Sequence, residues 1–263
     1  METNKKALIS GALFLAILIV GFGAWHYYES GSVNARTVSI VPLNGQNGTQ
    51  AADGSNVVSI GGRASLKAPL LERPIPATSP NIDPSARPAA IKYLNTSVAN
   101  LKKNPNSLQD WINLGLAREV LADYVGAEEA WTFATKLSPS NELAYASLGN
   151  LYMSYLKDGV KAEANFKVAL SIAPSDVGIY RSLAELYTYH YKQDTNAAEQ
   201  ILKEGFAKNP LAYDLGVLLA RYYRDHGMIA EAKAAYTAAA DSATKGGSLD
   251  IAKSITAERD QLK

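Results

Sequence analysis

The sequence predicts an all-α protein. The expected form is a solenoid of about four helix-turn-helix repeats with flanking capping helices, plus one N-terminal transmembrane helix and a disordered linker. Three observations lead there. Pro105, Pro139, Pro174 and Pro210 recur at spacings of 34, 35 and 36 residues, a period that marks stacked supersecondary units rather than one enzyme core. Between these prolines each stretch holds two apolar helical stripes joined by a short polar break. Ahead of them lie one long uncharged run and then a proline-rich stretch.

The uncharged run covers residues 7–28 and follows Lys5 and Lys6; up to Trp25 its only polar side chain is Ser10. As a helix it spans roughly 33 Å at about 1.5 Å per residue, enough for a bilayer core about 30 Å thick. Trp25, Tyr27 and Tyr28 stand at its far end, where an aromatic belt belongs. A cleaved signal peptide has a shorter apolar region, and the stretch from Gly21 to Ala24 is a poor cleavage site. The expectation is an uncleaved signal anchor. Residues 1–6 then form a short cytoplasmic N-terminus. Lys5 and Lys6 lie before the span and only Arg36 lies just after it, so positive charge places the remainder outside the cytoplasm, in a periplasmic or extracellular location.

Residues 29–84 carry no sustained helical period, and seven of the eleven prolines lie between Pro42 and Pro88. Proline lacks the backbone donor and restricts its predecessor, so the segment is expected to be a disordered linker. Two short alternating pieces, TVSIVPL and NVVSIGG, can pair as strands, although short isolated strands are marginal alone.

Residues 85–104 begin the helical part. Ile91, Leu94, Val98 and Leu101 form one stripe that stops at Lys102, Lys103 and Pro105, an N-terminal capping helix. Four units follow at 108–141, 142–176, 177–212 and 213–246. An early aromatic of the first helix stands at Trp111, Tyr145 and Tyr180, and a later one at Tyr152, Tyr187 and Tyr223. Between them come Leu114-Gly115, Leu148-Gly149, Leu183-Ala184 and Leu219-Ala220. In the second helix a small residue at Ala127, Ala162, Ala198 and Ala232 precedes a large one at Trp131, Phe166, Leu202 and Tyr236. Small residues let two helices approach while bulky ones fill the gap on the facing helix.

These residues resemble the tetratricopeptide repeat (TPR) family over about residues 108–246. The resemblance implies a right-handed solenoid that binds proteins and carries no chemistry of its own. Departures are Gly216 for the early aromatic of the last unit, Arg118 for the later aromatic of the first, and Thr244 for the last closing proline. One and two extra residues separate the helices of the second and third units. Residues 248–263 place Leu249, Ala252, Ile255 and Leu262 on one face, as expected of a C-terminal capping helix, because an array end needs cover.

Composition narrows the function. The chain has no cysteine, which excludes disulfides, thiolate metal sites and a cysteine nucleophile, and only three histidines. A net charge of +1 gives no basic footprint for nucleic acid. Without a phosphate loop, zinc motif or nucleophile elbow, the expectation is a non-enzyme without cofactor or metal.

The resemblance places a partner-binding groove on the first helices, at Asn113, Leu116 and Glu119, then Ala146, Asn150 and Met153. It continues through Arg181, Glu185 and Tyr189 to Val217, Arg221 and Arg224. Guanidinium forks suit a carboxylate or acidic peptide; alternatively these arginines are solvated or paired with Glu185 and Asp225. The family's carboxylate clamp for chaperone tails uses a lysine on the first helix of the first unit that is absent here. The expected function is a single-pass, membrane-anchored scaffold that binds a partner protein or peptide to support an envelope, secretion or maturation complex. The alternative is a cytosol-facing receptor or co-chaperone of the organelle-import type.

Overall fold

A computed structural model describes residues 57–60, 63–80 and 82–263, with side chains from residue 66 onward. The expected anchor at 7–28 and most of the expected linker lie outside the described residues. Among the described residues, no helix is long and apolar enough to cross a membrane.

Two short strands, β1 (Val57–Ile60) and β2 (Arg63–Lys67), pair antiparallel with a register shift between Val58 and Ile60. Within the NVVSIGG piece, Val57–Ile60 therefore pairs, with the strand that follows it; the TVSIVPL piece lies outside the described residues. Ten α-helices come next. They are α1 (Arg87–Lys103), α2 (Leu108–Val120), α3 (Tyr124–Leu137), α4 (Glu142–Leu151) and α5 (Gly159–Ile172). The rest are α6 (Val177–Glu185), α7 (Ala197–Lys208), α8 (Tyr213–Asp225), α9 (Ile229–Lys245) and α10 (Leu249–Asp260).

Local chemistry starts these helices. Ser107, Asp123, Asn141, Asp158 and Asp176 each accept from the backbone N–H three residues on, at 3.0 to 3.3 Å, and cap α2 through α6. Each cap satisfies an orphan donor. The period-setting prolines also accept: Trp111 Nε1 donates to the Pro105 carbonyl at 2.8 Å and the Tyr180 hydroxyl to that of Pro174 at 3.1 Å.

Pairs close up through small residues. A Cβ at Gly115 would stand 2.3 Å from Trp131 Nε1, and one at Gly149 would stand 2.6 Å from the Phe166 ring. Only glycine admits those rings. The turn inside each pair contains one left-handed residue, at Ala122 (φ 62°), Lys157 (54°), Lys192 (62°) and Gly227 (74°). The extra residues of the second and third units widen the ends of α4 and α6 into π turns, at Tyr152–Leu156 and Leu186–His190.

The core runs along the array as three clusters with no break between units. Polar bonds cross it at a fixed step. The Tyr152 hydroxyl donates to Glu128, Tyr187 to Glu163 at 2.7 Å and Tyr223 to Glu199 at 2.9 Å. Each bond joins the first helix of one unit to the second helix of the unit before it, twenty-four residues earlier. Among the described residues most tyrosine rings pack in or against these clusters, and these hydroxyls fasten neighbouring units.

The main departure from expectation is at residues 66–80. They belong to the segment expected to be disordered, yet they lie extended against the first unit with Ala68 and Leu71 buried. Prolines forbid a helix there, but they do not prevent an extended chain from being held by side chains of its neighbours.

Candidate functional site

Each helix packs on the next along the chain, and α6 also touches α8. Ion pairs join these first helices to one another and to α10. Arg181 on α6 donates to Asp214 on α8 at 2.7 Å. Arg221 on α8 grips Glu258 on α10 with Nε at 3.0 Å and Nη2 at 3.1 Å. Arg224 adds a longer bond to Glu258 at 3.4 Å and one to Asp225 at 2.8 Å.

These ion pairs rim a depression of about 350 Å³ between α6, α8 and α10, floored by Val217, Leu218 and Ile255. It has apolar walls and fixed charges at its edge, a combination suited to an amphipathic segment. The Glu258 carboxyl is held below the usual carboxylate range by the hydrogen bond from Arg221 first. Partial burial opposes that effect, and the Tyr236 hydroxyl, at 2.6 Å, adds to it.

The predicted groove residues divide by environment. Asn150, Glu185 and Tyr189 are exposed, Tyr189 at 66%. Asn113 is half-buried and accepts from Gln109 Nε2 at 2.9 Å. Met153 departs from the expectation: it is 5% exposed and packs in the middle core cluster, inside the π turn that follows α4. Arg181, Arg221 and Arg224 are all paired. The internal alternative therefore describes them, but with Asp214 and Glu258 as partners beside Asp225. Glu185 is not the partner of Arg181.

At the other end, Glu119 on α2 is half-buried, and burial pushes its carboxyl up to about 7. Beside it, Tyr124 and Tyr155 stack with ring centroids 4.5 Å apart. Glu119 and the stacked Tyr124 and Tyr155 thus lie toward the start of the array, and the arginine–carboxylate pairs toward its end.

Sequence reasoning missed Asp214, Ile251 and Glu258. Asp214 stands in the first turn of α8, outside the stripe used to choose groove positions. Ile251 and Glu258 belong to α10, whose sequence pattern signals only a capping role. The i+37 spacing from Arg221 to Glu258, close to one repeat, was the available signal. Among the described residues, no group of three or more His, Asp or Glu side chains is placed to hold a metal ion.

No protein-family model matches the chain, and no curated protein matches it in sequence. Solved structures do resemble it. A crystal structure of MamA superposes with a TM-score of 0.52 at 16% identity, covering 63% of this chain and 98% of that chain. A second crystal structure of MamA protein gives 0.41 at 19% identity, covering 58% and 89%. At such identity the first likeness speaks for architecture alone, and that architecture is a TPR-type helical repeat fold.

Proposed function

We propose that the protein is a non-enzymatic, membrane-anchored scaffold whose first-helix face binds a segment of a partner protein. The observation that carries this reading is the depression of about 350 Å³ between α6, α8 and α10, lined by Arg181, Val217, Leu218, Arg221, Ile255 and Glu258. Apolar walls take side chains, and the arginine–carboxylate rim offers both donors and acceptors at the edge. The ligand is a peptide of mixed polarity rather than a purely acidic one, because Asp214 and Glu258 already neutralise the arginines.

The anchor reading rests on the apolar run at 7–28, and the sidedness on Lys5 and Lys6. In this reading the repeats stand outside the cytoplasm and serve assembly of an envelope, secretion or maturation complex. Protease added to intact cells or spheroplasts digests the repeat domain from outside; repeats that remain protected overturn the sidedness.

Partner binding is tested by crosslinking and pull-down from native membranes. Val217→Arg with Tyr189→Ala is expected to cut capture of co-purifying proteins at least fivefold while the helical circular dichroism is kept. Undiminished capture places the binding face elsewhere.

A further inference from the structure

Arg118 is the strangest side chain of the array. It stands where the other units have Tyr152, Tyr187 and Tyr223, and it is 1% exposed. Those tyrosines each reach a glutamate twenty-four residues earlier, but the residue twenty-four before Arg118 is Leu94, which has no side-chain acceptor. The guanidinium turns instead to main chain. Its Nη2 donates to the carbonyls of Leu70 at 2.8 Å and Leu71 at 2.9 Å, and its Nη1 to Gly126 at 3.2 Å.

Two bonds to consecutive carbonyls read an extended backbone without reading its side chains. Side-chain choice comes from next to it. Leu71 is 7% exposed in the N-terminal core cluster. Arg73 is held by Glu129, with Nη1 at 3.0 and 2.9 Å from its two oxygens, and its Nε lies 3.5 Å from Asp123. Further on, the Ser79 hydroxyl donates to the Val120 carbonyl at 2.6 Å. Ala68 is buried with Leu71 and Ile75 packs against the same cluster, while Leu70, Glu72, Pro74 and Thr78 are exposed. This is how a bound peptide lies: two buried anchors at Ala68 and Leu71, one clamped charge and main-chain bonds between.

We infer that the first unit carries an extended-peptide site, selective for a leucine two residues ahead of an arginine, which this chain fills with its own residues 68–79 as a displaceable ligand. The site uses α1, α2, α3 and the turn between the last two, with Arg87 on α1 donating to the Pro76 carbonyl and Lys102 paired with Glu72, and it shares no residue with the depression at α6, α8 and α10. Its occupancy is therefore independent of binding there. A peptide with the same pattern enters only when the chain's own segment lifts away, so the segment gates the site.

The test uses the full chain and a fluorescently labelled synthetic peptide of residues 66–80. Leu71→Asp with Arg73→Glu weakens the chain's own segment and leaves Arg118, Asp123 and Glu129 untouched. Fluorescence anisotropy is expected to show this variant binding the probe at least tenfold more tightly than the unaltered chain. Adding Glu129→Gln is expected to lower that binding at least fivefold, and a probe carrying Arg73→Glu to bind as weakly. Equal binding by both chains, or binding by neither, overturns the site. A variant that loses its helical circular dichroism shows the segment to be part of the core, and overturns it as well.

Discussion

Glu163 shows how a single side chain joins the units. It sits on α5 and is 8% exposed, and burial by itself would raise its carboxyl. Hydrogen bonds from Lys167, Lys192 and Tyr187 reverse this and bring it down to about 2. Its folded value lies below the unfolded one near 4.5, so its stabilisation is present in full above about pH 5 and disappears as pH falls through 2. Lys167 and Lys192 stand in solvent, which screens their share of that contribution. Glu163→Gln is expected to lower the melting temperature at pH 7 and to flatten the acid limb between pH 5 and 2, as thermal melts across that range would report. An unchanged acid limb would mean that the network does not hold the carboxylate charged. Glu119 has the opposite sign: its raised carboxyl makes the fold less stable as pH rises from about 4.5 through 7. The tyrosine positions were visible as a repeating pattern in the chain. Their glutamate partners were not, because a hydroxyl's acceptor depends on which helix of the neighbouring unit faces it.

At the scale of elements, the helix pairs follow from local signals. Five side-chain caps, alternating small and large residues, and prolines that close the units all act over a few residues. The turns between paired helices are less evident. Lys157 sits at φ 54°, a left-handed conformation that costs an L side chain roughly 1–2 kcal/mol. The corresponding residue of the fourth unit is Gly227, which takes φ 74° without that cost. Lys157→Gly is therefore expected to stabilise by about 0.5–1 kcal/mol, once the extra backbone freedom of glycine in the unfolded chain is set against the relieved strain. A rise of a degree or more in the melting temperature checks it; a fall argues against strain at this turn. The extra residues of the second and third units were legible as a count. Their placement in π turns was not, and that placement is why Met153 lies in the core rather than on the groove.

The whole molecule is an array with two ends to cover, and the two are covered differently. At the C-terminus, α10 sets Ala252 and Ile255 against α9 and presents Lys253, Ser254 and Ala257 outward. Ile255→Asp is expected to cost about 2–4 kcal/mol by burying a charge and undoing that contact. It is also expected to expose an apolar face that promotes self-association. An earlier melt with an apparent mass above the unaltered chain's on size exclusion would confirm the cover. A native melt would show α10 to be dispensable for stability. At the N-terminus the cover combines α1 with an extended stretch of residues 66–80, which composition marked as linker. Composition speaks of what a segment cannot form by itself, and proline rules out a helix there. It does not speak of what a neighbouring surface can hold.

The chain by itself determined the repeat: its period, its paired helices, its capping helices and the small-to-large packing code, all of which are local or recur at a regular spacing. Only the tertiary structure decided which charges meet. Glu258 neutralises Arg221 and Arg224 from α10, Asp214 takes Arg181, and Arg118 turns from a missing glutamate to the carbonyls of residues 70 and 71. The reason is physical. Helix formation and close packing are governed by side-chain size and spacing along the chain, whereas an ion pair or a main-chain bond depends on distances of a few ångströms between elements that stacking alone brings together.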